Sequence, residues 1–406
     1  MTIKSLSAVT FVLLVSGAAA TAQIRPTGGK VLVPASSIEQ PTDVGRFAHT
    51  NIQIFLPKEL LREQTSGPPY AGYAYETPAS LACVYGLVTA VAGCNPNTVT
   101  KVPVGGGRMI AIVDAYDAPN AASDLAAFSR QFGLPPASFQ VVYASGVQPA
   151  HDMGWEFEES LDVQWAHAMA PEAKIVLVEA ASNSFADLMT AEDVASKMVN
   201  AAGGGEVSNS WGGGEFYGEN AYDSHFVKAG VVFLASAGDY PGTSWPGTSP
   251  NVVSAGGTTV RRNPSTGAFV AEAPWDSAGG GTSVLELRPS YQSKISAVGK
   301  YRGVPDLSFD SNPVTGVWVY DSNVGGWNIV GGTSVASPAL AGILNLAGSF
   351  YTSSNAELTA IYNKVGVAAD FTDIATGYCG PYGGYTAGSG WDFCTGVGSN
   401  KGIAGK

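Results

Sequence analysis

A serine before an apolar helix, two acidic residues four apart and an aspartate after a strand could together carry out acyl transfer. Ser334 lies in "GGTSVASPALAG" (331–342), where glycines permit a tight turn and an apolar helix follows at once. The N-terminus of that helix would bring partial positive charge and free N–H groups beside the hydroxyl. An isolated Gly-Thr-Ser is as readily a helix cap, but Pro338 and the apolar helix behind it favour a nucleophile. Such a serine needs a base. In "GWEFEESLDVQWAHAM" (154–169), Glu158 and Asp162 stand at i, i+4 on one face of an expected helix. Two carboxyls that close cannot both ionise freely, so one tends to share its proton. A solvated acidic face is the commoner fate of such a pair; Trp155, Leu161 and Trp165 make this face less wet. Asp239, in "LASAGDYPG" (234–242), has the setting of a turn former. Protonated, it could instead donate its O–H to a developing oxyanion.

The elements that would position these groups alternate between strand and helix. "RMIAIVDAYD" (108–117), "AKIVLVEA" (173–180) and "GVVFLASAGD" (230–239) are continuous apolar runs, as parallel strands buried on both faces require. Between them, "AASDLAAFSRQFG" (121–133) and "FADLMTAEDVASKMVNAAG" (185–203) read as helices, the first closed by glycine. The alternation predicts a doubly wound parallel sheet flanked by helices, with its site at the carboxyl ends of the strands. Asp114 and Asp239 both fall there.

The 406-residue chain is 45% hydrophobic, enough for a large core, and its 51 glycines are scattered between apolar runs rather than clustered. Lys and Arg (21) are outnumbered by Asp and Glu (33), which argues against nucleic acid or an anionic membrane as partner. Few cations would also limit positive self-repulsion once carboxylates protonate in acid. The start, "MTIKSLSAVTFVLLVSGAAATAQ", has a basic residue, a short apolar run and Ala20-Thr21-Ala22, a signal peptide over 1–22. No later apolar run approaches the ~18 residues of a membrane span. A secreted protein is expected, with the periplasm an alternative. Cys83 lies near Cys94 and Cys379 near Cys394, so two local disulfides are the simplest of three pairings. Residues 23–75, Pro-rich and polar, read as a short leader or propeptide-like segment; a single catalytic domain is expected over 76–406.

From about residue 76 to 400 the ordered motifs resemble the sedolisin family, the serine-carboxyl peptidases, which share the subtilisin fold. "GGTSVASP" resembles the nucleophile motif and implies Ser334 as nucleophile. "EESLD" resembles E-x-x-L-D, implying Glu158 as general base and Asp162 as the carboxylate orienting it. "SAGDYPG" resembles the oxyanion motif, carried by Asp239, and "VSNSWGGGE" the stretch along the substrate cleft, with Trp211 in the aromatic position. "WPGTSPNVVSAGGTT" resembles the segment that follows. Asp114 matches a position where some members extend the carboxyl network. The histidine motif His-Gly-Thr of the subtilisins is absent.

The resemblance also implies one structural calcium ion. "TDIATG" would supply the Asp373 carboxylate and the Ile374 carbonyl; "AGSGWDFCTGVGS" would supply the carbonyls of Gly388 and Gly390 and the carboxylate of Asp392. That is an oxygen set of the kind calcium takes. A monomer hydrolysing protein and peptide substrates at acid pH is the function implied. Family members are usually made with a large folded pro-domain, for which about fifty residues after the signal are too few. The alternatives are a subtilisin-like peptidase with Asp114, His151 or His167, and Ser334, an inactive peptidase-like binding protein, and, more remotely, a glycosidase using Glu158 and Asp162.

Overall fold

A computed structural model describes residues 28–58, 67–70, 73–380 and 384–406. The expected signal peptide lies outside them. In chain order the first strands are β1 (Gly29–Leu32), β2 (His49–Thr50), β3 (Gln53–Pro57), β4 (Met109–Ala115), β5 (Ser138–Tyr143), β6 (Lys174–Ala180), β7 (Gly205–Asn209) and β8 (Trp211–Gly212). They continue with β9 (Val231–Ser236), β10 (Val252–Arg262), β11 (Phe269–Pro274), β12 (Gly281–Leu287), β13 (Tyr301–Val304), β14 (Leu307–Asp310), β15 (Val317–Asp321) and β16 (Gly326–Gly331). The last are β17 (Phe371–Thr372), β18 (Tyr378–Cys379), β19 (Tyr385–Thr386) and β20 (Ser399–Asn400). The helices are α1 (Pro78–Val84), α2 (Ala121–Phe132), α3 (Met153–Met169), α4 (Phe185–Ala201), α5 (Thr333–Leu346) and α6 (Ser354–Tyr362).

The main sheet has ten strands and runs β17-β20-β14-β10-β9-β7-β4-β6-β5, with β11 antiparallel beside β10. From β14 to β5 every pairing is parallel. Strand β4, "MIAIVDA", is buried at every position because helices cover both faces. Ile110 and Ile112 face the core shared with α3 and α5, while Met109, Ala111 and Val113 face the one shared with α4. The chain turns to opposite sides of β4, first to β6 and later to β7, so the switch in strand order lies there. Asp114 is the sixth of that strand's seven residues, near its carboxyl end, where sites form in such sheets.

Helices α3 and α5 cross closely on one face. A Cβ at Gly342 would lie 2.6 Å from Cβ of Met169 and 3.0 Å from the Ala166 carbonyl, so only glycine allows this approach. Asp152 caps α3, accepting from the N–H groups of Gly154 and Trp155. Both expected disulfides are present, joining Cys83 to Cys94 and Cys379 to Cys394.

The segment read as a leader is, over 28–58, built into the body of the protein. Strand β3 pairs antiparallel with β16 in a four-stranded sheet ordered β1-β3-β16-β15, and β2 pairs with β8. Among the described residues no helix is long and apolar enough to cross a membrane.

Candidate active site

Ser334 lies in the first turn of α5, fully buried. Gly332, just before that helix, has φ 109°, a conformation that favours glycine. Pro338 explains the local hydrogen bonding. Lacking an N–H, it cannot bond the carbonyl four residues back, which is that of Ser334. The Ser210 hydroxyl takes that carbonyl at 3.2 Å, and the Ser334 hydroxyl in turn donates to the Ser210 carbonyl at 3.2 Å. Ser210 was not singled out from the sequence; the proline four residues after Ser334 is the signal that a carbonyl there needs a partner.

Asp239 follows β9 and is held from one side. Its Oδ1 accepts from the Thr333 N–H at 2.7 Å and the Thr333 hydroxyl at 3.0 Å, and that hydroxyl accepts from Gly238 N–H at 3.0 Å. Oδ2 is buried with no hydrogen-bond partner. Burial pushes the Asp239 carboxyl up to about 7, against the downward pull of the Thr333 bonds. In acid, then, Oδ2 can carry a proton that no protein group accepts, close to Gly332, two residues before Ser334. That space is narrow: a Cβ on Gly332 would lie 2.7 Å from Asp239 Oδ2 and 2.0 Å from the carbonyl oxygen of Asn51.

Glu158 and Asp162 project from α3, both fully buried. Burial raises the Glu158 carboxyl well above its ordinary range; the Asp114 charge adds to this, Ser334 opposes it, and Asp239 raises it further. Burial does the same to Asp162, with the Glu158 charge adding and Ser210 opposing. Neither carboxyl makes a well-formed hydrogen bond, although Ser334 and Ser210 stand beside them. Asp114 is raised by burial and then by Asp162 and Glu179. Glu179, opposite Asp114 in the β4–β6 register, is pushed up to about 8 by burial. The structure thus brings Ser334, Glu158, Asp162, Asp114 and Asp239 together, and Glu179 beside Asp114.

No histidine serves this group. His151 bonds Glu156 at 2.5 Å, and His167 meets the Pro135 carbonyl at 3.0 Å from the far end of α3. His225 pairs with Asp193 and His49 with Asp43. The indole of Trp211 is also elsewhere: it is fully buried and donates to the Val113 carbonyl at 2.9 Å. Strand side chains alternate, so with Ser210 facing Ser334 the Trp211 ring points into the core. What Trp211 offers the cleft is its backbone, paired with Thr50. Beside Asp239 a cavity of about 190 Å³ opens, lined by Asn51, Gly213, Gly238 and Tyr240 among others.

The expected calcium ligands lie apart from this group. Asp373 accepts from the Gly390 N–H at 3.0 Å and Asp392 from the Gly388 N–H at 3.0 Å, so the two motifs do meet. Among the described residues no three His, Cys, Asp or Glu side chains are placed so that they could hold a metal ion.

Residues 153–364 match the model of the Subtilase family. The chain is 27% identical over 340 residues to sedolisin of Pseudomonas sp. (strain 101), covering 74% of this chain and 57% of that protein. It is 30% identical over 337 residues to kumamolisin of Bacillus sp. (strain MN-32), covering 74% and 59%. It thus spans under two thirds of these curated relatives' length. The solved structure of Pseudomonas sedolisin, a serine-carboxyl proteinase complexed with two molecules of pseudo-iodotyrostatin, superposes with a TM-score of 0.68 at 27% identity. That match covers 80% of this chain and 95% of the other. The chain belongs to the subtilase family and, within it, to the sedolisins.

Proposed function

We propose that this protein is an exported serine-carboxyl peptidase that cuts peptide bonds in acid through an acyl-enzyme. One observation carries the reading: buried carboxyls, and no histidine, surround a serine that opens a helix. Glu158 takes the proton from Ser334 as the hydroxyl attacks the peptide carbonyl, and Asp162 holds Glu158 in place. The Ser334 N–H and the protonated Oδ2 of Asp239 receive the oxyanion. Glu158 then passes its proton to the leaving amine, and water repeats the steps on the ester. Asp114, where ionised, raises the proton affinity of Glu158, and Glu179 that of Asp114. The pair titrates as a unit, with one proton short of full protonation as its working state.

The sedolisin relatives support the activity, and the two disulfides suit an oxidising compartment. A monomer acting on protein or peptide substrates completes the reading. The donor set of Asp373, the carbonyls of Ile374, Gly388 and Gly390, and Asp392 is all hard oxygen, as calcium prefers. A bound calcium would tie together the loop already closed by the Cys379 disulfide.

The test is hydrolysis of a denatured protein across pH 2–8 by the wild type and by Glu158→Gln, His151→Ala and His167→Ala. Activity peaking in acid, abolished by Glu158→Gln and surviving both histidine changes is the expected result. A neutral optimum indifferent to Glu158 would return the base to a histidine.

A further inference from the structure

Beyond the loop that carries Asp239 lies a second cavity, built on the three glycines at 279–281. A Cβ on Gly279 would lie 2.2 Å from the Ala237 carbonyl oxygen, and one on Gly280 2.0 Å from that of Phe393. One on Gly281 would lie 3.0 Å from the Tyr385 ring. These glycines are therefore wedged between the Asp239 loop and the segment closed by the Cys379–Cys394 disulfide. Gly279 N–H donates to the Gly238 carbonyl at 2.7 Å and Gly280 N–H to the Gly242 carbonyl at 2.8 Å, which fixes the two loops together. The cavity they bound has a volume of about 410 Å³, against about 190 Å³ for the one beside Asp239. Gly280, Thr282, Val284 and Tyr385 line it, and Pro241 and Thr243 line both cavities.

Thr243, the partition between the two, is held by Glu215. Oε2 of Glu215 accepts from the Thr243 hydroxyl at 2.5 Å and the Val284 N–H at 3.1 Å, and Oε1 accepts from the Ser283 hydroxyl. One carboxyl thus fastens the partition and the β12 wall to the stretch that follows β8. Among the described residues lining the second cavity none is charged. Near Glu215, burial pushes Glu219 up to about 8 and Glu286 to about 7, so both are neutral in acid. Val284 is 66% exposed and Tyr385 38%, which leaves apolar surface uncovered at the cavity wall.

Resting on the function proposed above, we propose that this second cavity is a substrate subsite for a bulky uncharged side chain, aromatic or long aliphatic, and that Glu215 is the positioning residue that sets its shape. The shared walls make the occupant part of the substrate itself: one residue lodges beside Asp239 and another reaches past Thr243. An apolar side chain there covers Val284 and the Tyr385 ring and removes area from water on both partners. A carboxylate side chain would meet the acidic groups behind the wall. A cationic one would give up its water for a carboxylate whose two oxygens already accept from Thr243, Val284 and Ser283.

The experiment measures kcat/KM in acid for peptides that vary one residue at a time on either side of the cut bond, with the wild type, Tyr385→Ala, Thr282→Trp and Glu215→Ala. In the wild type one position should favour Phe, Tyr or Leu over Ala by roughly 10–200-fold. Tyr385→Ala removes a wall and Thr282→Trp fills the space, and each should cut that preference by about tenfold at that position alone. Glu215→Ala should change selectivity at two positions, because Thr243 borders both cavities; the two cavity variants decide the matter even where this one fails to fold. A preference untouched by both cavity variants, a change spread evenly over every position, or a Tyr385-dependent position that favours Lys, Arg, Asp or Glu would each overturn the subsite and leave the peptidase reading standing. A folded Glu215→Ala as selective as wild type would overturn the role of Glu215. No cleavage of any peptide by the wild type would sink subsite and peptidase together.

Discussion

Asp239→Asn separates the donor from its proton. In the wild type the carboxyl titrates at about 7 instead of 3.8, because burial disfavours its charge. That difference corresponds to about 4 kcal/mol in favour of the neutral form. At pH 5 about 99% of molecules would hold the proton on Asp239, and at pH 8 about 10%. Above pH 7 the group therefore changes from a donor into a negative charge facing a negative transition state, and activity should fall by roughly tenfold per pH unit.

An asparagine in the same pose keeps the geometry. Its Oδ1 can accept both Thr333 bonds, as the aspartate does now, and its Nδ2 replaces Oδ2 as a donor at every pH. The assay is kcat/KM on a peptide substrate from pH 3 to 9. At pH 5 Asp239→Asn should stay within about tenfold of wild type, and its alkaline limb should move beyond pH 7. Asp239→Ala, which has no donor, should lose about 10²–10³ in kcat at pH 5. Superimposable alkaline limbs for wild type and Asp239→Asn, or an alanine variant within tenfold of wild type, would refute the assignment.

Two further outcomes follow from the same structure. Glu206, fully buried against Asn345, is pushed up to about 8 by burial from an ordinary 4.5, and Glu357 to about 7. Because these folded values exceed the unfolded ones, the stability they bring is complete below about pH 4.5 and is lost as pH rises through 7 and 8. Thermal melts should show a higher Tm at pH 4.5 than at pH 8, and Glu206→Gln should remove part of that slope, at most about 5 kcal/mol. If calcium sits between Asp373 and Asp392, chelation should lower Tm and added calcium restore it, whereas Asp392→Ala should abolish the response.

What the sequence made legible was whatever lies in local spacing. Glu158 and Asp162 share a helix face because they are four apart, and the helix is marked by the apolar residues around them. Asp114 and Asp239 could be placed because a buried parallel strand is an unbroken apolar run, and its carboxyl end is where a site forms. The rest depends on contacts between distant segments. Nothing near Asn51 signals that its carbonyl accepts from the Ser334 N–H at 3.1 Å, a contact between segments far apart in the chain. Trp211 shows the opposite limit. Its position along the cleft was legible, but the direction of its ring follows from strand alternation and the Val113 carbonyl beneath it. Glu179 was missed because its importance comes only from register with Asp114 across two strands.

In the mechanism proposed above, the crowding of carboxyls is what would make a glutamate an adequate base. An isolated glutamate, with a pKa near ~4.3, would hold a proton from serine weakly. Burial, then the charges on Asp114 and Asp239, raise the proton affinity of Glu158, and with it the driving force for taking the Ser334 proton. A histidine in the same place would have its proton affinity raised by the same charges, from a higher starting value. The surrounding anions would stabilise its imidazolium, fix the proton on it, and leave no base in acid. Anionic neighbours raise the proton affinity of both groups alike. What separates them is the starting value, near ~4.3 for a carboxyl and near ~6.5 for a histidine, so the histidine is protonated over more of the acid range. Asp114→Asn removes a charge that raises Glu158 only where Asp114 is itself ionised, so the variant's pH profile should shift on its alkaline side and stay unchanged in acid. The same change would relieve an unpartnered buried carboxyl.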